Sequence, residues 1–409
     1  MMTEIPDSNE RITDLVERHF EISQVTWGGP KLPFVVRYEG VLKGDALAAH
    51  ETLFADLQSE NLTPLFLEDD DGQQIVQIIE GLPKAKRSNP WINLMLFLLT
   101  LLSMLFTGAQ YVYGGNEGAT EGGIMQFFVE NPWAGLPFAA SLLAILLAHE
   151  FGHYIAGRIH RTDVTLPYFL PFPFSPFGTL GAFIQLKSPP RNKRELLDIG
   201  LAGPIAGLVV AIPILLLGLS LSELDRIPLF IRLGDAFYLE GNSIIYLFSK
   251  YVVFHEWIPT PMSYGDLSPA LYWARYLLTG LPTPLGGMDV MLHPVAWAGW
   301  AGLLVTSLNL IPAGQLDGGH LLYSLLGRDA KRFVPAILIV LAALGFYWSG
   351  WWLWVFLIFM MGRSHAQPLN QITRLDPTRK FLAIMGLVIF VLVFTPIPLR
   401  PIIGPFFGP

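Results

Sequence analysis

The chain has 409 residues, 52% hydrophobic and 14% charged, with a mean hydropathy of +0.46; these values fit a multi-pass protein dissolved largely in lipid better than a soluble globule. Its net charge of −7 includes no basic tract of the kind that binds nucleic acid, and the acidic residues concentrate in the N-terminal part. With no cysteine, disulfides, thiol catalysis and cysteine metal sites are excluded, so any metal must be held by His, Asp or Glu.

The opening stretch MMTEIPDSNERITDLVERHF has neither the basic start and apolar core of a secretory signal nor the Arg-rich, acid-poor character of a transit peptide. The first spanning helix is therefore expected to act as the insertion signal. Residues 1 to 88 have soluble composition and read as a small α+β domain: a helix from Glu10 to Phe20, a strand pair, a helix from Asp45 to Glu60, and a second strand pair in TPLFLEDDDGQQIVQII. The Asp cluster before Gly72 fails the spacing of a calcium loop and is expected to be a hairpin turn.

After the basic linker PKAKRSNP, residues 89 to 409 form the expected membrane domain, with its core at about 135–325. Apolar segments at about 91–113, 135–158, 196–220, 290–311, 333–348, 350–362 and 380–396 give about six to eight spans, the 350–362 piece being short. SIIYLFSKYVVFHEWIP carries Lys250, His255 and Glu256 and reads as an interfacial or re-entrant helix. Basic residues cluster before the first span (Lys84, Lys86, Arg87), around the loop after the second (Arg158, Arg161, Lys187, Arg191, Lys193, Arg194) and after the fourth (Arg328, Lys331, Arg332), whereas the loop from Gly114 to Pro132 has none. By the positive-inside rule the basic loops and the N-terminal domain are cytoplasmic, and the expected location is a prokaryotic cell membrane.

The second span, LLAILLAHEFGHYIAGR, ends with His149, Glu150 and His153. Ionisable groups cost roughly 2.5–3.5 kcal/mol each at the centre of a bilayer even on the gentlest scale, so they mark a function. Residues four apart share a helix face, so two imidazoles can reach one cation with the glutamate beside them as proton acceptor, the H-E-x-x-H arrangement of zinc hydrolases. With His at 9 of 409 positions the motif arises by chance in about one such chain in a hundred. The competing reading, helix-packing histidines and a snorkelling glutamate, leaves each group to bear its desolvation without a shared partner. A hydrolytic zinc site needs a third protein ligand. Asp317 is the best candidate: in TSLNLIPAGQLDGGH an apolar span breaks at Pro312 and Gly314, close to the depth of the histidines. An ordinary cytoplasmic turn would use the same residue types.

AHEFGHYIAGR with NLIPAGQLDGGH resembles the site-2 protease family of intramembrane zinc metalloproteases, whose paired signatures are H-E-x-x-H and N-x-x-P-x-P-x-L-D-G. Gly314 replaces the second proline, similar to the looser P-x-x-x-L-D-G-G form of plastid-type and related prokaryotic members. The resemblance implies one Zn²⁺ per chain on His149, His153 and Asp317, and Glu150 as general base and acid. It also implies regulated intramembrane proteolysis of membrane-anchored protein substrates, with the lipid bilayer as surroundings, no nucleic-acid partner and room for an oligomer. Asn309 takes the family's Asn position, near the reacting carbonyl or the substrate backbone, and His320 has a packing or supporting role. TLGAFIQLKS alternates like a strand, and pairing with Gly181, Ala182, Phe183 and Ile184 would hold an unwound substrate extended, unless the hairpin only covers the cavity. Gly203 and Gly207 read as helix-packing residues, and Asp198 has no assigned role. The alternative function is a non-proteolytic membrane protein with a structural or transport metal site.

Overall fold

A computed structural model describes residues 8–29, 32–69, 71–81, 89–114, 123–229, 236–361 and 367–403. Asp70 and the basic linker residues Lys84, Lys86 and Arg87 lie outside them.

The N-terminal region is α+β, as its alternating pattern requires. Helix α1 (Ser8–Glu17), strands β1 (Phe20–Trp27) and β2 (Val36–Leu42), helix α2 (Ala46–Gln58) and strands β3 (Leu62–Glu68) and β4 (Gln74–Glu80) form an antiparallel sheet of order β1-β2-β4-β3 under two helices. Asp45 caps α2, its carboxylate accepting from the Leu47 and Ala48 amides at 3.0 and 2.9 Å. Phe20, Tyr38, Leu57, Phe66, Val76 and Ile78 make the core between sheet and helices. The Asp-rich turn is a hairpin: the Asp69 carboxylate accepts from the amides of Asp71 and Gln73, and Gly72 takes φ +80°.

The membrane part continues with α3 (Pro90–Gly114), α4 (Gly123–Glu130), α5 (Leu136–Ile159), the hairpin β5 (Tyr168–Pro171) and β6 (Thr179–Phe183), and α6 (Lys193–Ser220). Then come β7 (Glu223–Arg226), β8 (Ala236–Glu240), α7 (Ile244–Phe254), α8 (Pro269–Thr279), β9 (Met288–Met291), α9 (Pro294–Asn309) and α10 (Asp317–Leu326). A 3₁₀ turn at Gly327–Phe333 leads to α11 (Val334–Gly345), α12 (Gly350–Met361), α13 (Pro377–Val393) and β10 (Leu399–Ile403). Among the described residues α3, α5 and α6 are long and apolar enough to cross a membrane. The other expected spans form shorter helices: α9 has 16 residues, α11 and α12 have 12 each and α13 has 17.

Helices α5, α6 and α9 pack around Leu142, Ile145, Leu208, Leu215, Ala298 and Trp300. Their directions put the C-terminal ends of α5 and α9 beside the first turns of α6. The other end of α6 leads into β7 of the small sheet β7–β9, and β8 pairs with β10 in another. There α7 covers the stretch expected to be interfacial, and Lys250 is fully buried, 3.4 Å from Asp289 and 3.8 Å from Glu240. The connector after α12 joins the N-terminal region to the first end: its Leu369 carbonyl accepts from the Phe66 amide of β3, and its Asn370 amide donates to the Arg191 carbonyl just before α6. The N-terminal sheet is thus extended by main-chain hydrogen bonds up to the start of α6.

Candidate active site

One turn of α5 separates His149 from His153, and both rings face α6 and α9 from buried positions. Their Nε2 atoms lie 3.2 Å apart, with the rings 4.9 Å between centroids. Two glycines of α6 make this possible. A Cβ on Gly203 would overlap the His153 imidazole, and one on Gly207 would stand 3.2 Å from His149 Nδ1. The small-residue spacing expected to serve helix packing therefore packs α6 against the two imidazoles themselves. One turn earlier in α6, the Ile199 carbonyl accepts a hydrogen bond from His153 Nδ1 at 2.7 Å. In the neutral ring that bond makes Nε2 the unprotonated nitrogen, and it is aimed at its neighbours.

Helix α9 stops at Asn309 and the chain turns back through Pro312 and Gly314, the latter at φ +62°, where a side chain would be strained. Side chains at Gly318 and Gly319 would collide with the carbonyls of Leu310 and Gly314, so the Gly-Gly pair lets α10 start against the end of α9. This turn delivers Asp317 as the first residue of α10, its Oδ2 at 3.4 Å from His149 Nε2 and 3.3 Å from His153 Nε2. Asn309 Nδ2 stands 3.2 Å from His149 Nε2.

Three potential ligand atoms, one per residue, thus converge within 3.2–3.4 Å of one another. A tetrahedral zinc with bonds of about 2.0–2.2 Å sets its ligand atoms about 3.3–3.6 Å apart, so the donor set fits such an ion in both chemistry and spacing.

A cavity of about 200 Å³ opens on this cluster. Glu150 is buried on its wall, and the Ile184 amide donates to its carboxylate. Ala182, Phe183 and Ile184 form one side of the cavity and Asn309, Gln315 and Leu316 another. Gly181 lies outside that wall, in β6 with φ +103°, and Ile184 lies just past the strand end. His320 borders the cavity, and its Nδ1 and Nε2 are not part of the converging set. Asp198 stands apart from the cavity and binds Arg379 and His160. His160, just beyond α5, has its imidazole raised above the ordinary value by the hydrogen bond to Asp198, with partial burial opposing. Sequence reasoning missed Ile199, because a backbone carbonyl leaves no trace in residue identity.

Residues 137–347, from α5 through α11, match the family model described as peptidase family M50. The probable zinc metalloprotease EGY1, chloroplastic, of Arabidopsis thaliana is 28% identical over 91% of this chain and 68% of its own length. EGY1 of Oryza sativa subsp. japonica is 28% identical over 91% of this chain and 65% of its own, and EGY2 of Arabidopsis thaliana 28% over 89% and 60%. The chain spans about two thirds of the length of the curated relatives it matches. No solved structure matches it significantly. Because the family match covers more than half of the chain and falls on the helices that bring both motifs together, the chain belongs to peptidase family M50.

Proposed function

We propose that the chain is an intramembrane zinc metalloendopeptidase that hydrolyses peptide bonds in or near transmembrane segments of membrane-anchored proteins. The observation that carries this reading is the convergence of His149, His153 and Asp317 at 3.2–3.4 Å beside a buried Glu150. The three side chains hold one Zn²⁺ per chain, and the ion, when bound, supplies an acidified water and a Lewis-acid contact for the scissile carbonyl. Glu150 takes the proton of the attacking water at a carboxylate oxygen and returns it to the leaving amine. Asn309 donates from Nδ2 to the reacting carbonyl, and Ala182 to Ile184 pair with the unwound substrate, which must be extended before its peptide bonds can be attacked. The apolar cavity wall of Phe183, Ile184 and Leu316 suits the side chains of a membrane-embedded substrate.

The reading divides the chain into an N-terminal α+β domain of residues 1–88 and a membrane domain of residues 89–409. In the bilayer, α3, α5 and α6 span, and the shorter apolar helices α9 and α11 to α13 complete six to eight crossings, with the site opening on the side of the basic loops. The curated relatives are chloroplastic by name and lend no support to the prokaryotic membrane expected from the sequence, so the orientation is tied to the basic loops alone.

Purified full-length chain in liposomes with a single-span substrate tests the reading. Cleavage that a chelator stops and zinc restores is the expected result. Zinc entering the vesicles while the substrate stays whole would make the chain a transporter instead.

A further inference from the structure

Resting on the zinc site proposed above, we infer that Asp198 is a positioning residue: it locks the second turn of α6 so that the Ile199 carbonyl holds His153 in the ligating orientation.

Asp198 is the meeting point of three elements. Its Oδ2 lies 3.0 Å from His160 Nε2, where α5 has just ended. Arg379, in the first turn of α13, grips the same carboxylate with the Nε–Nη2 edge of its guanidinium: Nη2 to Oδ2 at 2.7 Å and Nε to Oδ1 and Oδ2 at 3.0 and 3.1 Å. Arg379 in turn is held by Asp376, the cap of α13, at 2.8 Å. Bidentate arginine pairs fix geometry as well as charge. The carboxylate therefore fastens the start of α6 to the end of the α5 helix that carries both imidazoles.

The next residue along α6 puts this fastening to use. Ile199 accepts from His153 Nδ1 at 2.7 Å, while among the described residues His149 Nδ1, buried against Gly207, has no hydrogen-bond partner. Among the described residues the Ile199 carbonyl is therefore the one hydrogen-bond partner of an Nδ1 atom on these two imidazoles. Gly200 follows, close-packed on His320 at the edge of the cavity, and Gly203 lies under the His153 ring. A small rotation of this turn moves the acceptor and the floor of one ligand together. A carbonyl cannot be mutated away, so the side chain that fixes its position is the accessible handle on it.

The test measures zinc affinity by chelator competition, and the visible spectrum after cobalt substitution, on detergent-purified full-length chain. Partners that orient a ligand from outside affect metal affinity about 10–100-fold, so Asp198→Ala is expected to bind zinc at least about 10-fold more weakly and to shift the cobalt bands. Asp198→Asn, which still accepts from Arg379, falls between. Asp45→Ala, which removes the cap of α2 in the N-terminal region and touches none of these groups, keeps wild-type affinity and spectrum even where its thermal midpoint drops; that separates positioning from general stability. If Asp198→Ala does not fold, Arg379→Gln and His160→Gln each remove one arm and decide the matter by the same readouts. Folded variants with wild-type affinity and spectrum overturn the inference alone, whereas a wild-type chain that takes up no zinc overturns the functional reading and this inference with it.

Discussion

Asn309 and His149 are 160 positions apart in sequence, yet Asn309 Nδ2 lies 3.2 Å from His149 Nε2. The contact exists because α9 ends at Asn309, at the depth where α5 carries its histidines, and the broken turn that follows returns Asp317 to the same point. In the proposed mechanism an amide so placed donates to the oxygen that reacts beside the metal. Asn309→Ala is therefore expected to lower kcat by about 10²-fold, the usual loss for one donor to a developing oxyanion, while zinc content stays at the wild-type level. Single-turnover cleavage and metal analysis on one preparation check both halves.

Gly203 carries a separate prediction. A methyl group there would overlap the His153 ring, so Gly203→Ala must displace either the imidazole or α6. Overpacking of this kind costs about 1–3 kcal/mol, and here it also moves a proposed ligand. Zinc affinity and the thermal midpoint should fall together, whereas Ala at Gly29, where nothing lies within 4 Å, should change neither.

The Asp198–His160 pair predicts a pH dependence of stability. His160 is raised first by its hydrogen bond to Asp198, aided by the Asp198 and Glu195 charges and opposed by partial burial and Arg379. A raised folded-state value means that the contribution is complete below about pH 6.5, the unfolded value, and fades as pH rises through the folded one. The gap in thermal midpoint between wild type and His160→Gln should be widest below about pH 6 and narrow at higher pH. A gap that widens with pH would contradict it.

The N-terminal region is bonded to the membrane part through Asn370. Its fully buried side chain donates to the Ala46 carbonyl at 2.8 Å and accepts from the Ile372 and Thr373 amides at 3.1 and 3.0 Å. Asn370→Ala leaves these groups unsatisfied at a cost of about 1–3 kcal/mol, and should release the connector from β3. Hydrogen exchange at the Phe66 and Gln371 amides, both bonded across this junction, should accelerate while exchange in the interior of α5 does not.

The sequence carried much of this arrangement, unevenly. The H-E-x-x-H spacing and the Pro-Gly break named the three converging residues and Glu150, because metal chemistry restricts residue type and helix periodicity restricts spacing. The α+β order of the N-terminal region was equally legible from its alternation, with ends displaced by one to three residues. Helix length was harder to read, since the apolar run continues through Ile311 while α9 stops at Asn309 so that the turn to Asp317 can form. The Ile199 carbonyl, the Asn370 junction and the Arg379 grip on Asp198 were not legible, because each joins segments far apart in the chain through groups that composition cannot rank.

Zinc per chain and cleavage of a single-span substrate, measured on the same samples of wild type, Asp317→Ala and Glu150→Gln, test the central claim most directly. The account predicts about one zinc with activity in wild type, about one zinc without activity in Glu150→Gln, and neither zinc nor activity in Asp317→Ala. Cleavage at the wild-type rate by Glu150→Gln, or a full zinc complement in Asp317→Ala, would contradict it.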